Sequence, residues 1–360
     1  MPLSNQSSAV AELVRLGQQT ASGKLLTEAF NVHGVRTRLV TDSNVVARAA
    51  AGLLRAFRED GKAEPDIEAH LYTVAALDGG MAPVPGDAIM LYDWGMVKIY
   101  HSGTHRHLVV EDRARVMADL GNRRAVGFMA RSSLDSDWLI SHLVFYPLWG
   151  QLLKEEGLYP FHAAGLARSG AAFLFPGASG SGKSTLSLHL VRSGYGLLSD
   201  DTVFLRESGG QVEALSFPEE INVTDETVEL FPDLARVENF TVNELRQKSS
   251  FSIEELYPGC VTGSSVPAML VFPQIEDVEA TVVQPMSRTE ALALSMRYGF
   301  FFMDPSTTGR HFEILSQLAK QAQCYRLYSG RDQQDLERVV DKLLGGEMEA
   351  ANQSSGERKE

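Results

Sequence analysis

From Gly177 to Ser184 the chain runs "GASGSGKS", which fits the phosphate-cradling spacing G-x-x-x-x-G-K-[ST]. Gly177, Gly180 and Gly182 let the backbone turn tightly and aim its N–H groups at phosphate oxygens, with Ala178, Ser179 and Ser181 between them. Lys183 is spaced to reach the β and γ phosphates of ATP, Ser184 offers a hydroxyl to Mg²⁺, and Thr185 follows as the helix opens. An apolar run, "AFLF", precedes the loop and "STLSLHLV" follows it. That strand-then-helix context separates a phosphate loop from a chance Gly/Ser stretch.

Asp200 and Asp201 come 17 positions after Lys183, at the end of the short strand pattern "YGLLSDD". Adjacent strand residues point to opposite faces, so both carboxylates can serve one centre only at a strand end. One could then hold Mg²⁺ while the other orients or deprotonates an incoming hydroxyl. The competing reading is a plain Asp-Asp turn. His162 enters through register. If Ser169-Gly170 is a two-residue hairpin turn, Arg168 pairs with Ala171 and His162 falls opposite Gly177. There it could bond a carboxylate or a phosphate; the bland alternative is a satisfied histidine at a strand end.

These residues need a scaffold, and the pattern predicts an α/β phosphate-binding domain over 158–346, preceded by an α+β domain over 10–157. Residues 1–9 and 347–360 read as polar, flexible ends. In the first part a helix should start after an Asp42/Ser43 cap. Antiparallel strands are expected at "AHLYTVAAL", "DAIMLYDW", "MVKIYHSG" and "RHLVVED", and a long buried helix should end at Gly157. In the second part, strands are expected at "FHAAGLAR", "AAFLFP", "YGLLSDD", "TVFLRE", "VPAMLVFP" and "EATVVQP". Helices should cover "SRTEALALSMRYG", "GRHFEILSQLAKQA" and "RDQQDLERVVDKLLG", the last striped by Leu336, Val339, Val340, Leu343 and Leu344 and capped at Gly345.

The stretch "FHAAGLARSGAAFLFPGASGSGKSTLSLHLVRSGYGLLSDDTV" resembles the catalytic core of the HPr kinase/phosphorylase superfamily. Shared features are a His–small–small–Gly strand, a hairpin, the Gly-rich loop with Lys and Ser, a helix ending in Arg-x-Gly, and an Asp-Asp pair. The resemblance covers about residues 160–205 and implies a phosphate-loop fold of the phosphoenolpyruvate carboxykinase type. It further implies Asp200 as base towards a serine hydroxyl, supported by His162, with Ser184 and Asp201 holding the metal and Lys183 as the catalytic lysine on the phosphates. Two features depart from the family. Thr185 stands where a Glu is usual, and the downstream Glu-x-Arg-Gly signature is replaced by "FPEEINVTDETVELFP", where Glu219 and Glu220 are only loose candidates for a second metal contact. The resemblance is therefore to relatives that phosphorylate something other than HPr.

The leading expectation is an ATP- and Mg²⁺-dependent phosphotransferase acting on a hydroxyl of a protein, peptide or small molecule. The alternative is a phosphate-loop regulatory switch or ATPase that passes no phosphoryl group to a partner. Composition trims other classes. The formal charge of −13 is concentrated after residue 150, where the net is −12 against −1 before it, which disfavours nucleic acid as a partner. No apolar run approaches the roughly 18 residues that span a bilayer. With no secretory signal and only Cys260 and Cys324, a cytoplasmic location is expected, and a homo-oligomer remains open. Arg246 and Lys248 in "ELRQKSSF" are either a transition-state cation pair or a solvated turn. His101, His105 and His107 in "YHSGTHRHL" are read as a surface hairpin, not a metal site.

Overall fold

The computed structural model describes residues 6–21, 23–238, 240–243, 248–276, 279–299, 304–329 and 338–345. The chain is mixed α/β with several sheets and forms two compact units. The first comprises the residues up to Leu158 together with a short segment ending at Thr308; the rest of the chain forms the second.

The first unit is an eight-stranded sheet with helices. In chain order it contains α1 (Gln6–Thr20), β1 (Leu26–Val32), β2 (Val35–Thr41), α2 (Asn44–Leu53), β3 (Ile67–Val74), β4 (Ile89–Trp94), β5 (Val97–Ser102), β6 (His105–Val110), β7 (Ala114–Asp119) and β8 (Arg124–Ala130). A wide helical turn over Leu139–Phe145 then runs into α3 (Tyr146–Glu155), and Gly157 follows with φ +78°. The strand order is β1-β2-β3-β8-β7-β6-β5-β4. Ser43 caps α2 by accepting the N–H of Val46, as its sequence position suggests.

Three expectations change in this unit. Residues 6–9 are helical and not a frayed end, because α1 lays Val10 into a cluster with Tyr72, Met117 and Phe128. β3 runs parallel to both β2 and β8, while the antiparallel pairing expected of β4, β5 and β6 continues through β7 and β8, two strands the sequence pattern did not mark. The β5–β6 hairpin exists, but His105 and His107 are buried, and burial pushes the His107 imidazole down to about 4. A charged pair is also fully buried: Arg106 donates through Nε and Nη2 to both oxygens of Asp304, at 2.6 and 2.5 Å. Such a bidentate match is what makes a buried pair tolerable.

The second unit contains β9 (Tyr159–Phe161), β10 (Ala163–Arg168), β11 (Ala171–Pro176), α4 (Lys183–Arg192), β12 (Gly196–Ser199), β13 (Val203–Ser208), β14 (Gln211–Leu215), β15 (Ile221–Val223), α5 (Asp225–Leu230), β16 (Thr241–Asn243), β17 (Lys248–Phe251), α6 (Ile253–Leu256), β18 (Ser264–Ile275), β19 (Val282–Pro285), α7 (Arg288–Gly299), α8 (Thr308–Gln321) and β20 (Gln323–Ser329). β11 lies between β10, antiparallel to it, and β18, parallel to it. The 12-residue β18 pairs with β14 through its first residues and with β20 through its last ones. β15, β17 and β16 make a separate small sheet.

β11 is buried on both faces. Phe173 and Phe175 pack with Leu186, Leu190 and Val191 of α4, while Ala172 and Leu174 pack with Ile314, Leu315 and Leu318 of α8. A strand sandwiched this way reads as a continuous apolar run, as "AAFLF" does. The expected final helix is described over 338–345, where Val340 and Leu344 join the α4 side of the core and Gly345 is still helical; Leu336 lies outside the described residues. Among the described residues no helix is long and apolar enough to cross a membrane.

One electrostatic cluster in the first unit yields a measurable consequence. Glu68 receives His70 Nε2 at 2.9 Å, Arg124 Nη1 at 2.6 Å and Arg38 Nη1 at 3.3 Å. The His70 hydrogen bond, helped by the charges of Arg124, His70 and Arg38 and opposed by burial, draws its carboxyl from 4.5 to about 2. A depressed folded-state value means stability present above 4.5 and lost as pH falls towards 2. Glu68→Gln is therefore expected to cost about 1 kcal/mol at neutral pH, since solvent screens a partly exposed pair. In urea titrations the gap between variant and parent should close as pH drops through that window.

Candidate phosphate and acid–base site

The site is built at the two ends of β11 and β12. Ser169 and Gly170, at φ +53° and +81°, form the expected two-residue turn, and Arg168 pairs with Ala171. The register runs to Ala163 opposite Pro176, so His162 arrives level with Gly177. There the expected single strand "FHAAGLAR" divides. Phe161 pairs with Val203 on one side of the break, and the residues after His162 pair with β11 and β12. The N–H of His162 leaves the ladder and donates to the Tyr298 carbonyl near the end of α7, at 3.0 Å.

The phosphate loop joins β11 to α4. Gly177 is buried; Ala178, Ser179 and Gly180 form an exposed rim. Gly180 and Gly182 take φ of +84° and +90°, which side-chain-bearing residues rarely adopt, and Gly182 caps α4. Lys183, Ser184 and Thr185 form the first turn of α4. The Lys183 ammonium is nearly buried and donates to the carbonyls of Gly177 and Ala178, at 2.8 and 3.0 Å. It also lies 3.3 Å from His162 Nε2. An ammonium has no acceptor, so Nε2 must be the accepting nitrogen and Nδ1 carries the imidazole proton.

β12 stops at Ser199, whose hydroxyl accepts the N–H of Asp201 at 3.3 Å and of Thr202 at 3.1 Å. That local turn ends the strand where the two aspartates need to diverge from strict alternation. Asp200 is buried, and its Oδ2 accepts the Ser184 hydroxyl at 2.7 Å. Asp201 is 45% exposed, with Oδ2 3.3 Å from His162 Nδ1. Phe161 pairs with Val203 and so brings His162 beside the residues just before Val203, where it meets Asp201. Ser184 meets Asp200.

Burial raises the Asp200 carboxyl above its usual range against the lowering pull of the Ser184 hydrogen bond. Glu219 is raised further, by burial and then by the charges of Asp201 and Asp200. Three carboxylates crowd one another here, and Asp200 Oδ1, Glu219 Oε1 and Ser181 Oγ are withdrawn from solvent without a hydrogen bond. Unpaired acceptors among like charges are what a divalent cation would satisfy. The described residues hold no cluster of three or more His, Cys, Asp or Glu with metal-binding geometry. Mg²⁺, however, is commonly held by one or two carboxylates with water and phosphate completing its shell, so Asp200, Glu219 and Ser184 fit it.

Three further residues contribute, of which only Ser199 lay outside the motifs and candidates read from the sequence. Ser199 makes the turn; its signal is a Ser directly before Asp-Asp. Gly165 lets β10 approach, since a Cβ there would fall 2.7 Å from Val203 Cγ1. Glu219 was only a loose candidate and proves to share the electrostatics of the aspartates. Glu220 points elsewhere and accepts the Ser250 hydroxyl at 2.6 Å. Arg246 lies outside the described residues, and Lys248 begins β17.

No protein-family profile matches the chain, and no curated protein matches its sequence. Among solved structures it is similar to the HPr(Ser) kinase/phosphatase from Coxiella burnetii, at 13% identity over 54% of this chain and 98% of that one, with a TM-score of 0.31. At that score the overlap adds nothing to the functional argument, which rests on the side chains.

Ser199→Ala would strip two backbone N–H groups of their acceptor. It is expected to cost about 1–3 kcal/mol in chemical denaturation. Nucleotide affinity, measured by fluorescence titration, should change far less than any catalysed turnover of ATP.

Proposed function

We propose that the chain is an ATP- and Mg²⁺-dependent phosphotransferase whose acceptor is a hydroxyl group, with serine the favoured class. The observation that carries this reading is His162 lying between Lys183 and Asp201, at 3.3 Å from each. A nucleotide-binding loop needs Lys183 and Ser184; it has no need of an exposed carboxylate aligned by a histidine. That pair suits a group that accepts a proton from an incoming hydroxyl.

In this reading the loop N–H groups and Lys183 hold the phosphates, and Lys183 exchanges its loop carbonyls for phosphate oxygens. Asp200, Ser184 and Glu219 would hold the Mg²⁺, which neutralises charge on the transferring group when bound. Asp201, half-exposed, takes the acceptor proton. His162 orients it through Nδ1–H, as its other nitrogen is turned to Lys183. Phosphoryl transfer asks little covalent chemistry of a protein, so positioning and charge carry most of the rate.

Incubation with γ-labelled ATP, offered serine-containing peptides, free serine and cell extract, tests the proposal. Label on an acceptor is expected, and Asp201→Asn should reduce transfer by about 10²-fold or more with nucleotide binding retained. Asp200→Asn should instead raise the Mg²⁺ concentration needed, and Lys183→Ala should lose both binding and turnover. Full transfer by Asp201→Asn would remove it as the base. Label released only as free phosphate, with no labelled acceptor, would favour the hydrolysing switch.

A further inference from the structure

Away from the phosphate loop, the first unit contains a cavity of about 540 Å³ lined by α1 and by the ends of β3, β7 and β8. Its charged lining is Asp119, Arg124 and Glu68, the middle of a row that is in register across five strands and runs His105, Asp119, Arg124, Glu68, Arg38. Acidic and basic groups alternate along that row, and Val10 and Val14 of α1 supply an apolar wall.

The informative feature is a pair that does not form. Asp119 and Arg124 are directly opposite each other on β7 and β8, with opposite charges. Cross-strand partners of opposite sign ordinarily meet. Here Asp119 instead accepts the backbone N–H and the side-chain amide of Asn122, at 3.2 and 2.6 Å. Arg124 turns to Glu68 through Nη1 alone, which leaves the other N–H groups of its fork without a protein acceptor among the described residues. Asp119 keeps acceptor capacity too, since a carboxylate has about four lone-pair sites. Its neighbour His105 has a buried Nε2 with no hydrogen bond, 3.8 Å from Asp119 Oδ2.

A lone cation entering the cavity would meet Arg124, and a lone anion would meet Asp119 and Glu68. A ligand carrying both charges on adjacent atoms balances the row. An internal peptide residue carries neither charge on its backbone, and a chain terminus brings only one. We propose that this cavity binds a free α-amino acid, its ammonium on Asp119, its carboxylate on the open N–H groups of Arg124, and its side chain against Val10 and Val14.

Calorimetric titration of the full chain with each of the common free amino acids, without nucleotide, tests this independently of any phosphoryl transfer. At least one is expected to bind. Its N-acetyl and methyl ester derivatives, each lacking one charge, should bind about tenfold more weakly or worse. Arg124→Gln, at a half-exposed position, should abolish the preference for the free carboxylate. Val14→Trp, which fills the cavity and leaves every charge in place, should abolish binding altogether, with circular dichroism confirming that both variants are folded. Absence of binding by any amino acid at about 10 mM, a range far weaker than 1 mM-class affinity, overturns the proposal. So does equal binding of the blocked derivatives, or undiminished binding by both folded variants.

Discussion

Neighbouring residues of an extended strand send their side chains to opposite faces, so two adjacent aspartates can reach one centre only where the strand ceases. Everything at the phosphate site follows from how β12 ends. Ser199 turns the chain by accepting two successive N–H groups. Asp200 then drops into the interior against Ser184, and Asp201 stays at the surface beside His162. Pairing of Phe161 with Val203 holds the far side of that turn, and the missing Cβ of Gly165 gives β10 room to lie against it.

Burial separates the carboxylates. Asp200 is buried and Glu219 half-buried, and both resist ionisation, Asp200 chiefly through burial and Glu219 through burial and then the charges of Asp201 and Asp200. Asp201 remains in contact with solvent and can meet a partner from outside. Lys183 ties the glycine-rich loop to the start of its helix by donating to the carbonyls of Gly177 and Ala178.

The first unit handles charge differently. Its acidic and basic residues nearly cancel, and many are spent across strands within the sheet, as in the cluster of Glu68 with His70, Arg124 and Arg38. Arg106 and Asp304 show how far this goes, with a full ion pair taken out of water on the strength of two aligned hydrogen bonds. Against that thrift with charge, an Asp119 and Arg124 that face each other without pairing stand out.

By itself the sequence determined the phosphate loop, the strand and helix around it, the Ser169-Gly170 turn and the arrival of His162 level with Gly177. Each of these is local, set by glycine backbone freedom, hairpin register or the burial pattern of a short apolar run. It also showed β4, β5 and β6 as antiparallel strands, but not β7 and β8, which continue the meander and are buried along most of their length. It did not show that β3 runs parallel to its neighbours, that residues 6–9 are helical, or that His105 and His107 are buried, since those depend on what packs on top. The partnering at the site was likewise decided by tertiary structure alone. Which aspartate meets the histidine and which meets the serine turns on Phe161 pairing with Val203, on Gly165 admitting that strand and on Glu219 returning from beyond β14. Those are contacts between segments far apart in the chain, and no local pattern carries them.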